Sequence, residues 1–158
     1  MLRIVPVEMH QQNILQNLIQ FYIYEFSQYL SSITLEDNGL YKPFDLDKYW
    51  TEDQYHAFFV KLGDEFIGFA LVESETDTSP NAMEEFFIIK KYKGKGYGKM
   101  AAVELFNRFP GNWFVTQVKK NYPAQAFWRS VISEYTNNKY TERYDENRMS
   151  IQEFKSGT

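Results

Sequence analysis

The order of hydrophobic periodicities predicts an α/β (α+β) fold, with a central mixed, mostly antiparallel sheet of about seven strands flanked by helices. Three observations lead there. Strand-length apolar runs alternate with three stretches whose apolar residues recur at spacings of three and four. Gly63-Asp64-Glu65 separates two strand-like runs at hairpin spacing. A glycine-rich segment, 91–98, stands between a strand-like run and a helical one.

Taken in order, Leu2–Val7 alternates apolar and other residues and reads as the first strand. From His10 to about Leu30, Ile14, Leu15, Leu18, Ile19, Tyr22, Ile23 and Phe26 mark an amphipathic helix. Ser31–Asp53 is irregular, with a turn at Asp37-Asn38-Gly39 and a breaker at Pro43; a loop of that length tends to be functional or to contain a short helix. His56–Leu62 and Phe66–Glu73 form the hairpin, and Met83–Lys90 is a third, very apolar strand. Lys99–Phe109 is helical and stops at Pro110-Gly111-Asn112, before a strand at Trp113–Val118. Pro123 fits the first turn of a helix running to about Glu134, and two strands, about 139–144 and 148–154, complete the chain.

At roughly 150 residues per domain, residues 1–158 form a single domain. The absence of Cys excludes disulfides, thiolate metal sites and Cys nucleophiles, and with only His10 and His56 no metal centre is expected. The longest clear apolar run, Ile67–Val72, is far short of the roughly 20 residues of a membrane span. The first residues lack the apolar stretch of a signal peptide, so a cytoplasmic location is expected and no membrane partner. Residues 1–80 carry 13 acids against 4 bases, a balance of −9; residues 81–158 carry 8 against 13, a balance of +5. The basic half suits an anionic ligand and the acidic half a cation.

The sharpest motif is Tyr92-Lys93-Gly94-Lys95-Gly96-Tyr97-Gly98-Lys99. Glycines between a strand and a helix let the backbone approach a ligand, and the helix start offers free N–H groups to a phosphate or pyrophosphate. A Walker A loop fails because Gly98-Lys99 is followed by Met100, and a dinucleotide fingerprint fails because the third glycine comes one residue early. Lysines in a glycine turn without aromatic spacing, in a chain of net charge −4, argue against nucleic acid.

This segment resembles the pyrophosphate loop of the GNAT superfamily of acetyl-CoA-dependent N-acetyltransferases, Q/R-x-x-G-x-G/A, with Lys93 where Gln or Arg is usual. Glu84-Glu85-Phe86-Phe87-Ile88 before it is similar to the family's strand, and Asn121-Tyr122-Pro123-Ala124-Gln125-Ala126-Phe127-Trp128 to its second motif, N-x-x-A-x-x-F/L-Y. The resemblance implies acetyl-CoA as cosubstrate. Backbone groups of Phe86, Phe87 and Ile88 would pair with the pantetheine amides, and Lys93, Gly94, Lys95, Gly96, Tyr97, Gly98 and Lys99 would hold the pyrophosphate. Asn121 would hydrogen-bond the pantetheine arm, flanked by Phe127 and Trp128. Sheet edges often dimerise in this superfamily, which allows a homodimer without requiring one.

A lysine-like amine is only about one part in 2,500 neutral at pH 7, a deficit of roughly 4.6 kcal/mol, so transfer to an amine needs a base. Glu84 and Glu85 are the candidates. As neighbours on a strand they are expected to point to opposite faces, with at most one reaching the cleft. Glu84-Glu85-Phe86-Phe87 is similar to the polyamine acetyltransferases of the superfamily, which implies Glu84 as the base. Trp128 stands where the family's Tyr acid is usual, and an indole N–H does not release its proton near neutral pH. Tyr97, Tyr122 and Tyr135 are the substitutes in principle, and no acid is assigned.

Tyr22, Glu25, Tyr29 and Trp50, with Tyr24, Glu36, Asp37 and Tyr41, form an aromatic and acidic set suited to a small cationic amine as acceptor. The sequence therefore reads as an N-acetyltransferase using a primary amine, polyamine-like in preference. The alternative is a non-catalytic acyl-CoA-binding module.

Overall fold

The computed structural model describes residues 1–157. Its elements are β1 (Leu2–Pro6), α1 (Gln12–Phe26), α2 (Lys48–Thr51), β2 (Tyr55–Leu62), β3 (Glu65–Glu73), β4 (Asn81–Ile88), α3 (Tyr97–Arg108), β5 (Gly111–Gln117), α4 (Tyr122–Thr136), β6 (Thr141–Tyr144) and β7 (Ser150–Ser156). They follow the expected order. The helix read as 10–30 ends at Phe26 because side chains take over its last carbonyls: Ser27 Oγ donates to the Tyr24 carbonyl at 2.6 Å and Gln28 Nε2 to that of Glu25 at 2.7 Å. The irregular stretch after it does contain a short helix, α2.

The seven strands form one sheet in the order β1-β2-β3-β4-β5-β7-β6, antiparallel throughout except at β4–β5. That parallel junction has only two register pairs, Asn81 with Trp113 and Ala82 with Phe114. Past it β4 runs on to Ile88 and β5 to Gln117 without pairing, so the strands part and leave a wedge between two backbone edges.

One sheet face packs α3 and α4 through Ala101, Ala102, Leu105, Phe106, Trp128, Val131 and Ile132. The other packs α1, whose buried Leu15, Leu18, Ile19 and Ile23 keep the three-and-four spacing; each contributes about 1.5–3 kcal/mol of apolar burial. The polar side of α1 fixes the loop above it. Gln20 donates Nε2–H to the Tyr41 carbonyl and accepts from the Tyr41 amide, both at 2.9 Å, and Gln16 donates to the Phe44 carbonyl at 2.7 Å. These bonds hold 41–44 over the sheet face that carries the glutamates. Among the described residues no helix is long and apolar enough to cross a membrane.

Candidate active site

The site begins with an irregularity in β4. Leu71 of β3 lies opposite Glu85 and Val72 opposite Met83, which leaves Glu84 as the extra residue of a β-bulge. The bulge resets the alternation: Met83 and Phe86, three apart, pack into the same core, under α3 and α4. Glu84 and Glu85 therefore share the opposite face and line one cavity, contrary to the expectation that a regular strand would separate them.

Two cavities meet at Glu85. The larger, of about 450 Å³, is walled by Tyr22, Ile23 and Phe26 of α1 and by the 32–44 segment, including Glu36 and Tyr41. The smaller, of about 210 Å³, is bounded by Phe44, Asp45, Lys48, Tyr49, Leu71 and both glutamates. Phe44 also belongs to both.

Burial sets the electrostatics. The Glu85 carboxyl is pushed up to about 7, chiefly because the site keeps water from its charged form; Tyr22 donating toward it and the Lys48 charge pull the other way, while Glu84 adds to the rise. Glu84, although exposed at the cavity mouth, is raised first by partial desolvation and then by the neighbouring Glu73 carboxyl, against the attraction of Lys48. Tyr22 and Tyr49 are both driven up, first by burial and then by the facing glutamates, so each phenol stays protonated. A carboxyl poised near neutrality beside fixed phenol donors can exchange a proton with a bound amine.

The glycine loop lies past the C-terminal end of β4. Gly94 (φ 77°) and Gly96 (φ 86°) occupy left-handed backbone, and a Cβ on either would meet nothing within 4 Å, so the loop backbone is open to a ligand. The first α3 turn closes with the Met100 N–H donating to the Gly96 carbonyl, which leaves the amides of Tyr97, Gly98 and Lys99 without helical acceptors. Gly98 permits the close approach of α4: a Cβ there would lie 3.0 Å from the Phe127 ring. An open glycine backbone, free helix amides and parted strand edges fit a pyrophosphate with an amide-bearing arm.

The remaining loop and α4 residues divide between site and scaffold. Lys93 is paired with Glu25 of α1 at 2.9 Å, and Lys99 with Glu134. The Phe86 ring stacks on Phe127 at 5.9 Å and meets Trp128 edge-on at 5.1 Å. Phe87 faces the other way and packs against Tyr22 and Phe69, so only its backbone is available to a ligand in the wedge. Ile88 is buried in the core under α3. Trp128 is also buried there, against Phe106. Asn121 caps α4, its Oδ1 accepting from the Ala124 amide at 3.1 Å, so its side-chain N–H group is what remains for a ligand. Tyr135 donates its hydroxyl to Asn107 at 2.7 Å, away from the glutamates, and Tyr122 is exposed.

Of the proposed acceptor residues, Tyr22, Glu36 and Tyr41 line the larger cavity. Trp50 does not: half-buried, it packs against the core cluster that α1 shares, with its indole N–H donating to the Val7 carbonyl at 3.3 Å. Tyr29 packs edge-on against Phe26 outside the cavity wall, and Glu25 serves the ion pair with Lys93. The sequence reading missed Phe44, Lys48, Tyr49, Tyr55 and Glu73. Lys48-Tyr49 adjoining Trp50 carried a weak signal, since α2 turns Tyr49 and Lys48 toward the cavity while Trp50 goes inward.

Comparison with known proteins bears on this geometry. The Acetyltransferase (GNAT) family matches residues 19–131. No curated protein sequence matches the chain. Among solved structures, an acetyltransferase from Thermus thermophilus superposes with a TM-score of 0.73 at 15% identity, covering 98% of this chain and 96% of that one. A spermidine N-acetyltransferase from Vibrio cholerae, solved with CoA and spermine, gives 0.68 at 12% identity over 98% and 95%. The ribosomal-protein-S18-alanine N-acetyltransferase from Escherichia coli gives 0.61 at 12% identity over 100% and 96%. At these identities the likeness is one of fold.

Proposed function

The chain belongs to the GNAT family of acetyltransferases, and we propose that it transfers the acetyl group of acetyl-CoA directly to the primary amine of a small, cationic, polyamine-like acceptor, with Glu85 as general base. The observation that carries this reading is the Glu85 carboxyl, held near 7 where two cavities lined by aromatic and acidic residues meet.

Acetyl-CoA supplies a thioester whose carbonyl the amine attacks. The amides of Gly94 to Lys99 would hold its pyrophosphate, the parted edge of β4 at Phe86–Ile88 its pantetheine arm, and the Phe127 and Phe86 rings would flank it. The bulge at Glu84 interrupts the ladder beside the glutamates, which supports a backbone N–H there as donor to the carbonyl oxygen.

Glu85 takes the proton from the acceptor's ammonium. Moving its carboxyl from the ordinary 4.5 to about 7 brings its proton affinity closer to that of the amine by about 3 kcal/mol. The carboxylate form is also populated at neutral pH, as a base requires. The Tyr22 phenol faces Glu85 across the larger cavity, and Glu84, Glu36 and Tyr41 supply the charge and aromatic faces that favour a cation. Trp128 offers no transferable proton to the departing thiolate, so the second proton, shed by the nitrogen as the amide forms and the C–S bond breaks, reaches the thiolate through water. The preference for a small amine follows from the cavity of about 450 Å³, which suits a small molecule. Release of CoA thiol measured against a panel of mono-, di- and polyamines tests the reading; release dependent on a cationic amine supports it, and release independent of any amine counts against it.

A further inference from the structure

The smaller cavity already holds an ammonium group, supplied by the chain itself. Lys48 of α2 directs Nζ over the ring of Tyr55 at 4.3 Å and over that of Tyr49 at 5.6 Å, the arrangement by which aromatic faces attract cations. The same side chain lines the cavity with Glu84 and Glu85, and its charge acts on both. Yet among the described residues Lys48 makes no ion pair within 4.0 Å. It sits in the field of the carboxylates without being clamped to one.

The surroundings are also under-neutralised. Glu84, Glu85 and Asp45 line the cavity, and Glu73 lies close enough to raise the proton affinity of both Glu84 and Tyr55. One lysine stands against four acidic groups. Its flexible four-carbon stem, rooted on a short surface helix, lets the head leave for solvent at little cost. An incoming ammonium would inherit the rings and the carboxylate field, so the exchange replaces one cation by another and buries no additional charge.

We propose that Lys48 is a displaceable internal competitor, whose ammonium occupies the place that an ammonium group of the acceptor takes on binding. It is then a specificity-determining residue: it weakens every cationic acceptor and favours those whose second positive charge replaces its own. This rests on the cationic-acceptor reading above, and on two facts independent of it, the rings beneath Nζ and the missing clamp.

The test is calorimetric titration of diaminobutane, and of butylamine for comparison, into the CoA-saturated full-length protein as wild type, Lys48→Met and Lys48→Arg. Loss of the competing charge should tighten diaminobutane binding about tenfold in Lys48→Met, between the scales of an exposed and a fully desolvated cation–π contact. Lys48→Arg, which keeps the charge, should bind as the wild type does, and butylamine should gain less than diaminobutane. A merely structural Lys48 would give the opposite sign, since its loss would loosen the cavity. Diaminobutane binding to Lys48→Met that equals or falls below the wild-type affinity overturns the proposal. If Lys48→Met binds more tightly but no CoA thiol is released with any amine, the competitor stands and acetyl transfer to amines is withdrawn instead.

Discussion

Glu85→Gln should make the protein more stable while disabling it. A carboxyl that binds its proton more tightly in the folded chain than in the unfolded one costs stability once it must ionise. For Glu85 the cost appears as pH rises above 4.5, grows until about 7 and is constant beyond. The two values separate by about 3 kcal/mol in full, nearly all of it present at pH 8 and about 1 kcal/mol at pH 5. Glutamine keeps the shape but never ionises, so it removes this cost. For a chain of this length the variant should melt roughly 6–12 °C higher than wild type at pH 8 and only about 2–4 °C higher at pH 5. Thermal unfolding followed by circular dichroism at the two pH values measures it. An equal gain at both, or none at pH 8, would refute the argument that burial holds Glu85 near 7. The same substitution should lower kcat by about 100-fold or more while leaving the KM for acetyl-CoA unchanged.

Wild-type kcat/KM should rise with pH through an ionisation near 7, the limb that Glu85→Gln abolishes; a pH–rate profile checks both. Gly68→Ala should cost about 3 kcal/mol or more in urea unfolding, because its Cβ would lie 2.0 Å from the Phe87 carbonyl oxygen and force β3 from β4. Gly96→Ala should cost only the roughly 1–2 kcal/mol of left-handed backbone and raise the KM for acetyl-CoA about tenfold, with the acceptor KM unchanged in steady-state assays. Trp128→Phe should lose about 1–2 kcal/mol of stability but keep kcat within about threefold, since the indole passes no proton.

How much of this was legible in the sequence depended on whether the signal was local. The glycine loop was, because left-handed backbone at Gly94 and Gly96 and a helix start at Tyr97 are written in adjacent residues. Tyr22 was, because helical periodicity places it beside Ile19 and Ile23 on the buried side of α1. The placement of the glutamates was not. Strand periodicity assigns Glu84 and Glu85 to opposite faces, and only the pairing of Leu71 and Val72 across the sheet reveals the bulge that unites them. Trp50 differs for a related reason: an aromatic residue near acids suits a cation cage or a core equally, and its packing against the core cluster with the indole N–H bound to Val7 decides it. Lys48 was invisible as a site residue because its rings come from two elements, Tyr49 on α2 and Tyr55 on β2.

The central claim, that a half-buried Glu85 takes the proton of a cationic amine during acetyl transfer, is tested most directly by CoA thiol release from acetyl-CoA with diaminobutane, wild type against Glu85→Gln, at pH 8. The account predicts amine-dependent release by the wild type that falls about 100-fold or more in the variant, with acetyl-CoA binding intact. Release equal in the two proteins, or unaffected by the amine, would contradict it.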